Sequence, residues 1–299
     1  MAYRLDFGKP LEAEVRRIAG EQLDAARNLL QHQPDGLHEA VHDARRHIKR
    51  TRALLRLVRS GDRHFVDQAN GQLRDVAHSL AHLREASTLV ESATRLLLSV
   101  EGGEPEKAIV VLIEQLDTRR EQLTDADAGL QARIAAADAA LADLVSGLGA
   151  LDLPAKRKKR AKVLAKGWQR VTEKARAAQA ACEEMQASQP FHELRKRSQD
   201  RWMHASLLRH VWPAAMISVQ RQAKELVDIL SQACDIDVLA HHLGSDDAVV
   251  SGEEKETILL AIDEQRRRLC QAAIEAAPDL YDRRPGRDAG ALRALVSRL

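Results

Sequence analysis

Apolar residues recur at spacings of three and four along nearly the whole chain, and almost nothing alternates with period two. That is the helical period, so the chain reads as all-α. An aromatic content of 3% agrees, because strands favour aromatic and β-branched side chains. Glycine and proline fall where helices should break. Pro10 suits a first turn; Pro34-Asp35-Gly36 and Gly61-Asp62 end two helices, and Gly102-Gly103-Glu104-Pro105 forms a turn. Leu151-Asp152-Leu153-Pro154 marks the middle, Pro190 and Pro213 open helices, and Gly244-Ser245-Asp246-Asp247 closes one. About eight helices result. The stretch from Pro278 through Arg283-Arg284-Pro285-Gly286 reads as a loose tail.

The 299 residues are enough for two compact units. Forty-six Lys and Arg face 44 Asp and Glu, a net charge of +2, so anion binding would have to come from clustering rather than overall basicity. Cys182, Cys234 and Cys270 form no C-x-x-C pair, which fits a reducing compartment and neither a disulfide framework nor a zinc knuckle. The opening Met1-Ala2-Tyr3-Arg4-Leu5-Asp6 lacks an apolar leader, and no stretch approaches the roughly 20 apolar residues of a membrane span. The expectation is a cytoplasmic protein with no membrane partner.

An internal duplication organises the chain. His42-Asp43-Ala44-Arg45-Arg46 is echoed 150 residues later by His192-Glu193-Leu194-Arg195-Lys196. The same offset, without a gap, sets Arg74 on Lys224, Leu80 on Leu230, Glu85 on Asp235 and Leu89 on Leu239. Arg17-Ile18 resembles Arg170-Val171 once a few loop residues are allowed for. A 150-residue period is far too long for a solenoid unit, which runs to about 50 at most. The expected architecture is two four-helix bundles related by a pseudo-twofold axis: residues 1–150, residues 151–277, and a flexible tail over 278–299.

The chemistry lies on one helix face. His42, Arg45, Arg46, Lys49, Arg52 and Arg56 follow three- and four-residue spacing beside an apolar stripe of Val41, Ala44, Ile48 and Leu55. Like charges so placed repel one another unless an anion neutralises them. Cations about one turn (~5.4 Å) apart can meet successive phosphates of an extended chain. Arg binds phosphate oxygens bidentately and Lys as a point charge. A basic face is more often simply solvated; its echo at His192, Arg195 and Lys196 favours a site. That echo is weaker, since Gln199 and Trp202 replace Lys49 and Arg52.

The segments V-H-D-A-R-R-H-I-K-R-T-R-A-L-L-R-L at 41–57 and F-H-E-L-R-K-R-S-Q-D-R-W at 191–202 resemble the CHAD family, the conserved histidine α-helical domain. Trp212-Pro213 and the acidic Asp235-Ile236-Asp237-Val238-Leu239 fit as well, and the resemblance covers roughly residues 5–275. It implies two four-helix bundles around a basic central channel, binding of inorganic polyphosphate, and association with polyphosphate granules and their proteins. By position it places His42, Arg45, Arg46, Lys49, Arg52, His192, Arg195 and Lys196 in the anion site, joined by Arg17, Arg74, Arg170 and Lys224; Arg56 continues the stripe. Glu85, Gln199 and Met203 depart from the usual Asp, Lys and Tyr.

Other signals are bland. Lys156-Arg157-Lys158-Lys159-Arg160 reads as a solvated linker or a basic rim. His241-His242 and the pair His38 and His42 lack an H-E-x-x-H arrangement, so no metal is expected. Asp235 and Glu85 suit a role pairing the cations. No nucleophile elbow, phosphate loop or E-x-E-x-K strand is present, and the expectation is a binding protein, not an enzyme, with no cofactor. Nucleic acid is a competing polyanion, disfavoured by the near-neutral charge and scarce aromatics; a granule-associated protein-interaction scaffold is the other alternative.

Overall fold

A computed structural model describes residues 3–125, 129–185, 187–245, 248–282 and 284–299, the side chains of 82–85 and 123–125 excepted. Among the described residues there are eleven α-helices and no strand. They are α1 (Leu11–His32), α2 (Leu37–Val58), α3 (Arg63–Ser79), α4 (Ala81–Leu97), α5 (Gly103–Asp125) and α6 (Leu130–Gly147). After a single 3-10 turn at Leu148–Ala150 come α7 (Arg157–Met185), α8 (Ser188–Leu207), α9 (Pro213–Leu243), α10 (Gly252–Tyr281) and α11 (Pro285–Val296).

Local chemistry sets most of the breaks. Gln33 ends α1 in the left-handed region, its N–H returning to the Leu29 carbonyl. Asp62 caps α3 by accepting from the Phe65 N–H. Pro213 occupies the first turn of α9, where a missing N–H costs nothing. The break between α3 and α4 has no glycine or proline; Leu80 simply leaves helical geometry there.

Three expectations need correction. The described residues form eleven helices where about eight, four to a unit, were expected. Pro278 lies inside α10, which continues to Tyr281 because Leu280 and Tyr281 are buried against the core. The expected tail is ordered from Pro285 as α11, whose Ala289, Leu292 and Val296 share one face and are buried in the same apolar cluster as the first half of α7. Three small-to-medium apolar side chains at helical spacing are enough to dock a short helix.

Three apolar clusters hold the helices. The first joins α1, α2, α3 and α6 to α11 and the opening turns of α7, and so crosses residue 150. The second joins α7, α8, α9 and α10; the third joins α4 and α5 to α9 and α10. Position by position, the burial order of residues 41–48 is repeated at 191–198: 41, 44 and 48 are buried, as are 191, 194 and 198, while 46 and 196 are exposed. Helices open at 63 and 213, and at 103 and 252. Gly167 on α7 sits against the α2 backbone, where an added Cβ would lie 2.0 Å from the Leu57 carbonyl oxygen. Only glycine allows that approach.

No helix among the described residues is long and apolar enough to cross a membrane.

Candidate functional site

A concavity beside the basic helix has a volume of about 750 Å³. Helix α2 lines one wall with His42, Arg45, Arg46, Lys49 and Arg50, which its buried Val41, Ala44 and Ile48 turn away from the core. Helix α8 contributes Arg195, Gln199, Trp202 and Met203. Arg4, Arg95 and Arg209 reach the same space from the N-terminal segment, from α4 and from the turn after α8. Eight Arg and Lys side chains thus face one cavity whose lining carboxylates are Asp228 and Asp235.

Both carboxylates already have cations. Asp228 holds Lys224 at 2.5 Å, with the ammonium 5.6 Å from the Trp202 ring centre. Asp235 binds Arg95 at 3.1 Å, and Glu91 holds the same guanidinium at 3.0 Å. The Arg45 guanidinium donates to the Ala77 carbonyl, fixing it between α2 and α3. Arg46 lies 3.4 Å from Asp43.

The N-terminal segment is built into the wall. The Leu5 N–H donates to the Leu207 carbonyl, and the Tyr3 hydroxyl donates to the Arg50 carbonyl at 2.7 Å. Arg160 donates to the Phe7 and Lys9 carbonyls, so the last cation of the 156–160 run is a buried latch; residues 156–159 are exposed. Arg17 lies between Glu14 and Glu21, both at 2.8 Å, and donates to the Arg4 carbonyl. Arg17 therefore positions the segment that carries Arg4. Its hydrogen bond to Glu14 raises its pKa further above the usual guanidinium range.

Burial first, and neighbouring cations second, depress several basic groups in and behind the wall. Burial, then Arg50 and Arg46, pushes His47 down to about 4. Burial, then Arg46, lowers Arg50. His192, expected in the anion site, does not line the cavity; burial and then Arg195 lower its pKa, while Asp237 and Asp235 oppose them.

The structure thus brings His42, Arg45, Arg46, Lys49 and Arg195 together and distributes the other expected residues. Lys196 is exposed and 3.9 Å from Glu193, and Arg74 is exposed beside Asp75. Lys224 stands behind Asp228 and Trp202. Arg56 binds Asp200 at 2.5 Å and, with Arg170, lines a separate groove. Arg52 is half-buried near Arg56, Asp200 and Arg74, and burial followed by Arg56 brings its pKa down to about 10. Asp235 pairs a cavity cation as expected of it; the side chain of Glu85 lies outside the described residues.

Four cavity cations escaped the sequence reading. Arg50 was accessible to it, one turn beyond Arg46. Arg4 and Arg209 lie outside regular helices, and Arg95 stands near the far end of α4, so no periodicity connects them to the stripe.

Among the described residues no group of three or more His, Cys, Asp or Glu side chains is placed to hold a metal ion. All three cysteines are buried, and burial pushes the Cys182 and Cys234 thiols up to about 12, which makes them poor nucleophiles.

A solved structure of PptA from Streptomyces chartreusis is similar in fold, with a TM-score of 0.60 and 17% identity, over 92% of this chain and all of that one. No curated protein matches. The CHAD domain model matches residues 17–244, three quarters of the chain and the whole span from Arg17 to the end of α9. The protein belongs to the CHAD domain family.

Proposed function

We propose that this protein binds inorganic polyphosphate, without catalysis, in the basic cavity between α2, α8 and α9. The observation that carries the reading is the convergence of eight Arg and Lys side chains on one cavity whose two carboxylates are each already engaged by a cation. Charge of that density, held on packed helices, favours a ligand with closely repeated negative charge and no large apolar part. Guanidiniums offer paired donors to phosphate oxygens, and the rungs on α2 extend along the helix axis, as a linear polyanion requires.

The reading includes an internal duplication that makes α2 and α8 equivalent walls of one basic channel. The 150-residue offset, the repeated burial order and the matched helix starts support it. The walls are unequal: α2 gives four Arg and Lys, α8 only Arg195. Most of the affinity then resides on α2. Recruitment to polyphosphate granules follows from such binding, and granule-associated proteins are further candidate partners.

The test is titration with long-chain polyphosphate, comparing the native chain with Arg46→Glu/Lys49→Glu/Arg195→Glu. Binding should weaken at least about a hundredfold with helicity intact. Duplex DNA should fail to displace polyphosphate at equal phosphate concentration; displacement would favour a general polyanion binder. A tagged protein should redistribute between cells with and without polyphosphate stores, whereas a pure protein scaffold would not.

A further inference from the structure

A second basic groove, of about 290 Å³, lies beyond the far end of the stripe, between α2, α3, α7 and α8. Arg56 enters it from α2 and Arg59 from the turn that follows, Arg170 and Lys174 from α7, and Arg197 from α8. We propose that this groove is an independent binding site for a compact phosphate anion such as pyrophosphate. The proposal goes beyond the polyphosphate cavity and does not rest on it.

The groove has a fixed back and an uncompensated front. Asp200, only 2% exposed, holds Arg56 at 2.5 Å and Arg197 at 3.3 Å; Glu193 holds Arg197 from the other side at 2.6 Å. Arg59 is clamped by Asp67. Guanidiniums held this way are pre-oriented and lose little rotamer freedom on binding. Arg56 uses Nε and Nη2 on Asp200, and Arg197 uses Nε and Nη1, so each retains one further nitrogen with donors. Arg170 and Lys174, one turn apart on α7 and exposed, form no salt bridge among the described residues. Five cations against Asp67, Asp200 and Glu193 leave a surplus of two positive charges, a match for a small multiply charged anion. Burial chiefly, and then Arg197 and Arg170, lowers the Lys174 pKa.

The close approach at Gly167 makes the groove possible, because it brings the α2 and α7 cations within reach of one small ligand. The groove is less than half the size of the cavity, and its lining contains no aromatic ring on which a base could stack. Phosphate groups without a nucleoside fit these features best. Arg56, held by the buried Asp200, lines the groove and not the cavity.

Calorimetric titration of the full chain with pyrophosphate and with long-chain polyphosphate tests the proposal. Arg170→Glu/Lys174→Glu alters two exposed side chains, and an unchanged circular dichroism spectrum and Tm would verify its fold. This variant should weaken pyrophosphate binding by about tenfold or more and leave long-chain affinity within about threefold. The Arg46→Glu/Lys49→Glu/Arg195→Glu chain should keep its pyrophosphate affinity. No pyrophosphate binding by the native chain, or equal binding by the groove variant, would overturn the proposal. So would loss of pyrophosphate binding in the cavity variant, or long-chain binding lost equally in both, since either result means a single site.

Discussion

Replacing Gly167 by alanine tests the packing that holds α2 and α7 together. The added Cβ would lie 2.0 Å from the Leu57 carbonyl oxygen, 2.7 Å from its carbon and 2.8 Å from its Cα. These are backbone atoms within a helix, so no side chain can rotate aside. The helices must separate by about an ångström to reach a tolerable contact, and such a gap forfeits a quarter to a half of the dispersion energy between facing atoms. Leu57, Leu164 and Trp168, all nearly fully buried, line that seam. Overpacking of this kind costs ~1–3 kcal/mol, here at the upper end because backbone is the obstacle. Alanine recovers ~1 kcal/mol of helix propensity. The net loss is about 2 kcal/mol, a Tm lowered by roughly 3 °C in a chain of this length. Gly71, inside α3 with nothing within 4 Å of an added Cβ, is the internal control, and Gly71→Ala should raise stability by up to ~1 kcal/mol. Thermal unfolding of both variants decides. If Gly167→Ala were as stable as Gly71→Ala, the proposed close contact would be refuted.

Four further outcomes follow from the same contacts. Asp200→Asn leaves Arg56 and Arg197 without their buried counter-charge and should cost ~3 kcal/mol in urea unfolding with an unchanged m-value. Tyr3→Phe removes the hydroxyl that donates to the Arg50 carbonyl and should cost ~1 kcal/mol by the same assay. Arg4→Ala, at a cavity residue that precedes the segment matched by the family model, should weaken long-chain polyphosphate binding by roughly three- to tenfold without changing Tm. His47 and His204 are held down to about 4 by burial, against an ordinary value of 6.5. In that window the unfolded chain takes up protons that the folded chain refuses, so stability falls as pH drops from 6.5 towards 4. His204→Gln should flatten the dependence of Tm on pH; an unchanged slope would contradict it.

Much of this fold is written in local sequence. The breaks at Gln33 to Gly36, at Asp62, at Gly102-Gly103 and at Trp212-Pro213 arise from residues whose backbone preferences act alone. The kink at Leu80 and the persistence of α10 through Pro278 are decided by packing from elsewhere, which no local pattern records. The site divides along similar lines. Periodicity puts His42, Lys49 and Arg56 on one face, but fourteen residues of helix span about 21 Å, longer than one cavity wall. What surrounds each turn then decides its role: the cavity beside Lys49, and Asp200 of α8 beside Arg56. Arg17 has its partners Glu14 and Glu21 on its own helix, at i−3 and i+4, and a structural role could have been read from that spacing.

The central claim is that a linear polyphosphate lies among the cavity cations, and the salt dependence of its affinity tests it most directly. If about six phosphates are neutralised there, log K should fall with log salt at a slope near −4, several-hundred-fold weaker binding between about 50 and 200 mM salt. The Arg46→Glu/Lys49→Glu/Arg195→Glu chain should bind long-chain polyphosphate at least about a hundredfold more weakly and with a much shallower slope. A shallow slope in the native chain, or near-native affinity in that variant, would contradict the account.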